Sequence, residues 1–364
     1  MAADQRFQHM LGDIGAGDQR APLQIDGSYG EGGGQLLRNA VALAAVTGRA
    51  IAVRHIRARR SKPGLAPQHL AAVRAVATLC GAHVEGLELR SQALGFTPGA
   101  LRGGDYQFDI GTAGCAVLVL QALLPAMVAS GCSVAVAVTG GTDVRQAPSI
   151  DYFAHVLLPL LERMGVAARF ELIRRGYYPR GGGEIRIRVA PCALQPIALE
   201  EPGSIVAIEG RAHVANLPEH IALRMREAAL ARLSAAPGPQ PRIEVAIVDP
   251  TQAIGRGGAI AVWARTTQTV MGASRVAELG VRAETLGAAV GAELANDLRA
   301  EATVDLHAAD QLLVYLALAR GGSYLTRSVT THSRTAMWLI EQFLPVRFAA
   351  ATKGELVRVS VAPA

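Results

Sequence analysis

The chain has 364 residues, half of them hydrophobic, 18% charged and only 4% aromatic, with a formal net charge of +6. That balance excludes a disordered or collagen-like chain and suits a well-packed α/β protein of two or three domains. Of 36 basic residues only Lys62 and Lys353 are lysine, and arginine forks match phosphate oxygens in pairs, so polyanionic or nucleotide substrates are favoured unless coding bias explains the surface arginines.

Residues 1–22 mix Asp, Gln, Arg and Gly without an apolar run, and read as a polar, partly disordered extension and no signal peptide. From Leu23 onward strands and helices alternate, with glycine clusters at the joints. The pattern predicts a strand at 23–26, a glycine loop, a helix at 35–46 stopped by Gly48, a strand at 51–56, and a helix at 67–80 closed by Gly81. Short strands are expected at 84–89 and 106–110. The plan then returns with a glycine turn at 111–114, a buried helix to 129, a strand at 133–139, a helix at 152–164 and strands at 168–173 and 183–189. Residues 110–142 carry no charge, yet the glycines and Pro125 within them read as loop, buried helix, turn and strand, which excludes a membrane span. Residues 204–279 have a different texture and read as a small inserted α/β domain, with a helix at 218–233, a Pro/Gly linker at 236–241 and strands at 243–248 and 259–266. The remainder, 23–203 with 280–364, forms the main domain. Its third copy of the unit uses 312–319, a strand at 326–329, a helix at 335–343 and final strands at 347–351 and 356–361. The four cysteines lie at 80, 115, 132 and 192 with no C-x-x-C pair, which suggests neither zinc nor disulfides and fits a reducing cytoplasm.

Several segments carry chemistry. Asp26-Gly-Ser-Tyr-Gly-Glu31-Gly-Gly-Gly-Gln35-Leu-Leu-Arg38 puts a glycine loop between strand and helix, where backbone amides and the helix N-terminus can approach phosphate. Glu31 there is a metal ligand, a base, or a solvated residue of a tight turn, and Arg38 could pair with an anion. The run His55-Ile-Arg57-Ala-Arg59-Arg60-Ser-Lys62-Pro-Gly64 precedes a helix starting near Gln68-His69, and reads as a site for two or more phosphates or as a solvated basic loop. Arg174-Arg175-Gly-Tyr-Tyr-Pro-Arg180-Gly-Gly-Gly-Glu184 repeats the arginine and glycine theme. Near the end, Thr330-Thr-His332-Ser-Arg-Thr335 precedes an apolar run. Neither lysine lies in K-x-D-G, so if a covalent intermediate forms on phosphorus His332 is the better nucleophile; otherwise it is a cap or surface residue.

Together these segments resemble the RNA 3′-terminal phosphate cyclase family over most of 24–361. The likeness rests on Gly30-Glu31-Gly-Gly-Gly-Gln35 with Arg38, Arg57 to Lys62-Pro-Gly64, Gln68-His69, Gly111-Thr-Ala-Gly114 through Gln121, Gly140-Gly-Thr-Asp143, Gly176-Tyr-Tyr-Pro, Asp310-Gln311, His332-x-x-Thr335 and Phe343-Leu-Pro-Val-Arg347. The resemblance implies three α/β modules, each like the C-terminal domain of translation initiation factor 3, with a thioredoxin-like insert. It implies ATP-dependent conversion of RNA 3′-phosphate ends to 2′,3′-cyclic phosphodiesters through adenylylated His332, with Glu31 meeting a divalent metal, Mg or Mn. It also implies that Gln121, His307, Ala308, Ala309, Asp310 and Gln311 line the ATP pocket, while Arg38, Arg57, Arg60, Gln68 and His69 hold phosphates of ATP or the RNA end. No membrane partner is expected, and a homodimer is left open. Two positions depart from the family: His307 stands where bacterial members commonly have tyrosine, and Ala336 where asparagine is usual. The alternative is a catalytically weak or inactive cyclase-like RNA-processing partner, against which the presence of His332 argues. An enolpyruvyl-transferase-like enzyme, with a similar repeated plan, would have no use for that histidine.

Overall fold

A computed structural model describes residues 21–364; the polar extension, but for its last two residues, lies outside them. The first unit runs β1 (Leu23–Asp26), α1 (Gly34–Thr47), β2 (Ile51–Arg54), α2 (Pro67–Cys80), β3 (His83–Glu85) and β4 (Leu94–Thr97). β1 and β2 are parallel and the remaining pairings antiparallel, giving the order β1-β2-β4-β3. The second unit repeats this plan with β5 (Gly104–Asp109), α3 (Ala116–Ala129), β6 (Val134–Gly140), helix α4, β7 (Ala168–Gly176) and β8 (Gly183–Val189), in the order β5-β6-β8-β7. Helix α4 is continuous through Ile150–Tyr152, a π turn at Phe153–Leu157 and Leu158–Arg163.

A third unit opens with β9 (Ile197–Leu199), only three residues long, and is then interrupted. The interruption holds β10 (Ile205–Ala215), α5 (Glu219–Leu233), β11 (Arg242–Val248), β12 (Ala253–Ile254), β13 (Gly257–Thr266), β14 (Val270–Val276) and α6 (Ala283–Arg299). The third unit resumes with α7 (Leu306–Leu318), β15 (Gly322–Thr326), α8 (Thr331–Ile340), β16 (Val346–Lys353) and β17 (Leu356–Pro363), and its order β9-β15-β17-β16 matches the other two.

Helices of the three units pack on one another in the middle of the main core. Every residue of α3 is buried except Gln121 and Ala129, which is why its sequence carries no charge. No described helix is long and apolar enough to cross a membrane. In the interruption, α5 and α6 cover one face of the sheet β11-β10-β13-β14 and close a second core around Ile208, Met225, Val262, Val290 and Leu294. These two helices approach closely because Gly287 has no Cβ; one there would lie 2.0 Å from the Met225 carbonyl oxygen.

The two cores meet at a buried charge cluster. Arg175, at the end of β7, donates to Asp143 at 3.0 Å and to both Asp151 oxygens at 2.8 and 2.9 Å, while His213 of β10 lies 3.5 Å from Asp151 and 3.8 Å from Asp143. Donor atoms of Asp143, Asp151 and His213 lie within 4.8 Å of one another, but the Arg175 guanidinium already occupies the cation's place between the carboxylates.

Several boundaries near the C-terminus differ from the sequence expectation, among them the start of α7 at Leu306 rather than 312, behind the Asp305 cap. The strand lies at Gly322–Thr326 rather than 326–329, and α8 begins at Thr331 rather than 335. The reason is local: the Thr330 hydroxyl accepts the Ser333 amide at 2.9 Å and caps the helix one turn early.

Candidate active site

The loop after β1 is shaped by its acidic and glycine residues. Asp26 accepts the Ser28 amide and hydroxyl at 2.9 and 2.8 Å, and Gly30 and Gly32 take left-handed φ of 58° and 63°. Helix α1 starts behind Gly33 without a side-chain cap, so its first amides face the loop as donors. Glu31 folds back over this helix start: a Cβ at Gly33 would lie 2.1 Å from its Oε2.

Two residues crowd the same helix start. A Cβ at Gly34 would come within 2.2 Å of His69 Nε2 and 3.0 Å of an Arg38 guanidinium nitrogen. Arg38 is buried, has no carboxylate partner among the described residues, and burial lowers its pKa to about 10, so it remains a cation near neutrality. His69 Nδ1 accepts the Ala66 amide at 3.1 Å, which puts the ring proton on Nε2 and aims a donor at the loop. Burial first, then the charges of Arg38 and Arg57, depress the His69 pKa to about 3 and keep that ring neutral. Arg57 is partly buried on the following loop and donates to the Gly64 carbonyl at 2.7 Å. Gln68 accepts the Cys115 amide at 3.5 Å and so ties α2 to the turn before α3.

His332 sits on the first turn of α8, its side chain 46% exposed, with Nδ1 3.8 Å from Glu31 Oε2. The other oxygen of Glu31 is paired with Arg60. Burial, then the positive charges of Arg60 and Arg38, outweigh Asp310 and push the His332 pKa below the usual imidazole value, which favours the neutral ring. Glu31 opposite Nδ1 favours the tautomer that leaves Nε2 with its lone pair. Asp310 lies beneath this turn and accepts from Thr330 at 2.6 Å and from the Ser333 hydroxyl. Helix and loop are also joined by Tyr29 stacked on Trp338, with centroids 3.8 Å apart.

The expected site residues thus fall into three groups. Glu31, Arg38, Arg57, Arg60, His69 and His332 cluster around the glycine loop and the start of α1, with Gln68 beside them. Gln121 donates to Gln311, whose own amide donates to the His307 carbonyl at 2.9 Å, so these residues form a polar patch on α3 and α7. His307 pairs with Glu293 of α6 at 3.1 Å, and that hydrogen bond raises its pKa. Ala308 and Ala309 are fully buried in the main core. Residues not singled out from sequence are the positioning groups: Asp305, which caps α7 through the His307 and Ala308 amides and accepts from Tyr152 at 2.6 Å, and Trp338. An Asp two residues before an α-helical histidine was the available signal for the cap.

The pocket holds one carboxylate among several cations. That donor set fits a hard divalent ion bound through Glu31 and, for the rest, through substrate phosphate oxygens and water.

The profile of the RNA 3′-terminal phosphate cyclase family matches residues 29–350. The chain is 54% identical over 342 residues to the RNA 3′-terminal phosphate cyclase of Nitrosospira multiformis, covering 93% of this chain and 96% of the relative. It is 41% identical over 340 residues to that of Methanococcoides burtonii, 93% and 99% covered, and 42% identical over 342 residues to that of Pyrobaculum aerophilum, 93% and 97% covered.

Proposed function

The chain belongs to the RNA 3′-terminal phosphate cyclase family, and we propose that it is an ATP-dependent ligase that closes RNA 3′-phosphate ends to 2′,3′-cyclic phosphodiesters through a histidyl-AMP intermediate. The observation that carries this reading is a half-exposed imidazole beside Glu31, its pKa lowered by burial, next to a buried Arg38 that has no carboxylate partner among the described residues. A neutral ring is a nucleophile for phosphorus, and unpaired cations accept the charge of both phosphates.

In this reading His332 Nε2 attacks the α-phosphorus of ATP, a P–N bond forms, and the bond to the bridging oxygen breaks so that pyrophosphate leaves. An oxygen of the RNA 3′-phosphate then attacks the same phosphorus and returns the electron pair to His332. The neighbouring 2′-oxygen, losing its proton, attacks the 3′-phosphorus and expels AMP. Arg38, Arg57, Arg60 and the His69 Nε2–H hold the anions, and Asp310 sets the turn that presents His332. Magnesium or manganese at Glu31 would supply Lewis-acid polarisation of the phosphates. Gln121, Gln311 and the neighbourhood of His307 receive the adenosine, with the ion-paired His307 offering an imidazole, smaller than the tyrosine ring common in bacterial members, for the base to stack on. The module plan fits a main domain of three units like the C-terminal domain of translation initiation factor 3, with a thioredoxin-like insert that takes in 204–279 and, through α6, the residues up to Arg299 of the expected 280–364 segment.

The test is incubation with α-labelled ATP and a divalent metal, followed by denaturing electrophoresis, for the wild type beside His332→Ala. Acid-labile, base-stable label absent from the variant is expected. Cyclisation by a folded His332→Ala protein would sink the mechanism.

A further inference from the structure

The segment 174–184 is the arginine and glycine motif to which the pocket gives no task, and its residues divide cleanly. Arg175 belongs to the buried charge cluster, Tyr177 is 2% exposed, and Arg174 Nε donates to the Gly182 carbonyl at 3.2 Å. Gly181, with φ of 64°, rests on the turn before α3, where a Cβ would lie 2.7 Å from the Thr112 carbonyl oxygen. Fold alone therefore accounts for these members and leaves two over. Tyr178 is 79% exposed, and Arg180 is exposed with no ion-pair partner among the described residues.

The neighbouring loop adds a third group. The Ile254 carbonyl accepts the Tyr177 amide at 3.0 Å, and a Cβ at Gly255 would lie 3.2 Å from the Tyr177 oxygen, so the β12–β13 loop lies against the hairpin. That loop carries Arg256, also exposed and also without an ion-pair partner among the described residues. The hairpin stands beside the anion pocket: the 111–114 turn beneath Gly181 reaches Gln68 through Gly114, where a Cβ would lie 3.1 Å from Gln68 Cβ, and Gln68 adjoins His69.

We propose that this hairpin tip is a docking platform for single-stranded RNA behind its 3′ end, with a base stacked on Tyr178 and backbone phosphates met by Arg180 and Arg256. The inference rests on the reading that the pocket receives RNA ends. An exposed ring flanked by uncommitted cations supplies the two terms that bind single strands without base readout, a π face for any base and charge for the backbone.

The experiment measures fluorescence anisotropy of a labelled single-stranded oligoribonucleotide bearing a 3′-phosphate, with the full chain and no ATP. Tyr178→Ala should weaken binding about tenfold, while Tyr178→Phe keeps it. Arg180→Ala and Arg256→Ala should each reduce the slope of log affinity against log salt by about 0.7. Self-labelling with ATP alone, a step in which RNA takes no part, should persist in all four variants. Unchanged RNA binding in Tyr178→Ala would overturn the platform, as would the same loss of binding in Tyr178→Phe with self-labelling intact; should Tyr178→Ala lose self-labelling as well, the salt slopes of Arg180→Ala and Arg256→Ala decide, and slopes equal to that of the wild type overturn the platform. Failure of the wild type to self-label overturns the functional reading instead, and the ATP-free binding data still decide the platform.

Discussion

The Thr335 hydroxyl accepts the Glu31 amide at 3.1 Å while donating to the Thr331 carbonyl at 2.7 Å, so the helix that presents His332 also holds the loop that presents Glu31. The two residues are 304 positions apart in the chain, and one hydrogen bond fixes their relation. Thr335→Val keeps the shape and removes the acceptor, leaving the Glu31 amide without its partner. Self-adenylylation should fall about tenfold, the equivalent of about 1.4 kcal/mol, and Thr335→Ser should restore it. Gly30→Ala should be worse, because the added methyl would lie 2.1 Å from the Thr335 oxygen at a left-handed φ. Labelling rates for the three variants check this, and a fully active Thr335→Val would dismiss the contact.

Arg38 is a buried cation with no carboxylate partner among the described residues, so it costs stability, a cost that the proposed anion-binding role accounts for. A pKa drop from 12.5 to about 10 through burial corresponds to about 3 kcal/mol against the charged form. Arg38→Met should therefore raise the melting temperature by a few degrees while lowering adenylylation about a hundredfold. Arg38→Lys should recover only part of the rate, since a point charge replaces a fork. Calorimetry beside the labelling assay reads both arms, and a variant that is less stable than wild type would contradict the unpaired-charge argument.

Much of this was legible because its causes are local. Gly81 stops α2 with φ of 62°, the charge-free run becomes the buried α3, and the glycine loop before Arg38 stands at a helix start, each from residues adjacent in sequence. What escaped depends on distance. β9 has three residues and is a strand only because β15 pairs with it. α6 is the exception: Ala283, Leu286, Val290, Leu294 and Leu298 recur at a helical period that the sequence reading passed over, and only the fit of its apolar side to α5 around Gly287 and Gly291 depends on distance. The early start of α8 follows from Thr330, which a histidine-centred reading treated as chemistry. The pairings of Glu31 with Arg60, of His307 with Glu293, and of Arg175 with Asp143 and Asp151 join separate segments, and nothing in one segment names the other.

The junction between the two cores should be acid-sensitive through His213. The ring is fully buried, and burial first, with Arg175 adding to it, lowers its pKa to about 4 against the opposing carboxylates Asp143 and Asp151. A native value below the unfolded one means that the unfolded chain takes up the proton first. His213 therefore costs nothing above the unfolded value of about 6.5, and stability is lost as pH falls from there toward about 4, by up to about 3 kcal/mol. Melting curves at about pH 7 and about pH 5 should show a larger acid drop for the wild type than for His213→Gln. Parallel drops would place the acid sensitivity elsewhere.

Glu31 serves two masters, and metal titration separates them. One oxygen pairs with Arg60 and the other faces His332, so a divalent cation bound through Glu31 would compete with Arg60 for the carboxylate. A single protein carboxylate gives weak affinity for magnesium or manganese, most of which comes from substrate oxygens and water. Glu31→Ala should therefore leave self-adenylylation detectable but raise the metal concentration for half-maximal rate about tenfold, and Glu31→Asp, one methylene shorter, should fall between. Arg60→Ala frees the same carboxylate and should lower the metal requirement even while it weakens phosphate binding, an opposite shift that loss of packing cannot mimic. An unchanged titration in Glu31→Ala would remove the residue from the metal's neighbourhood and leave it as the partner of Arg60 and His332 alone.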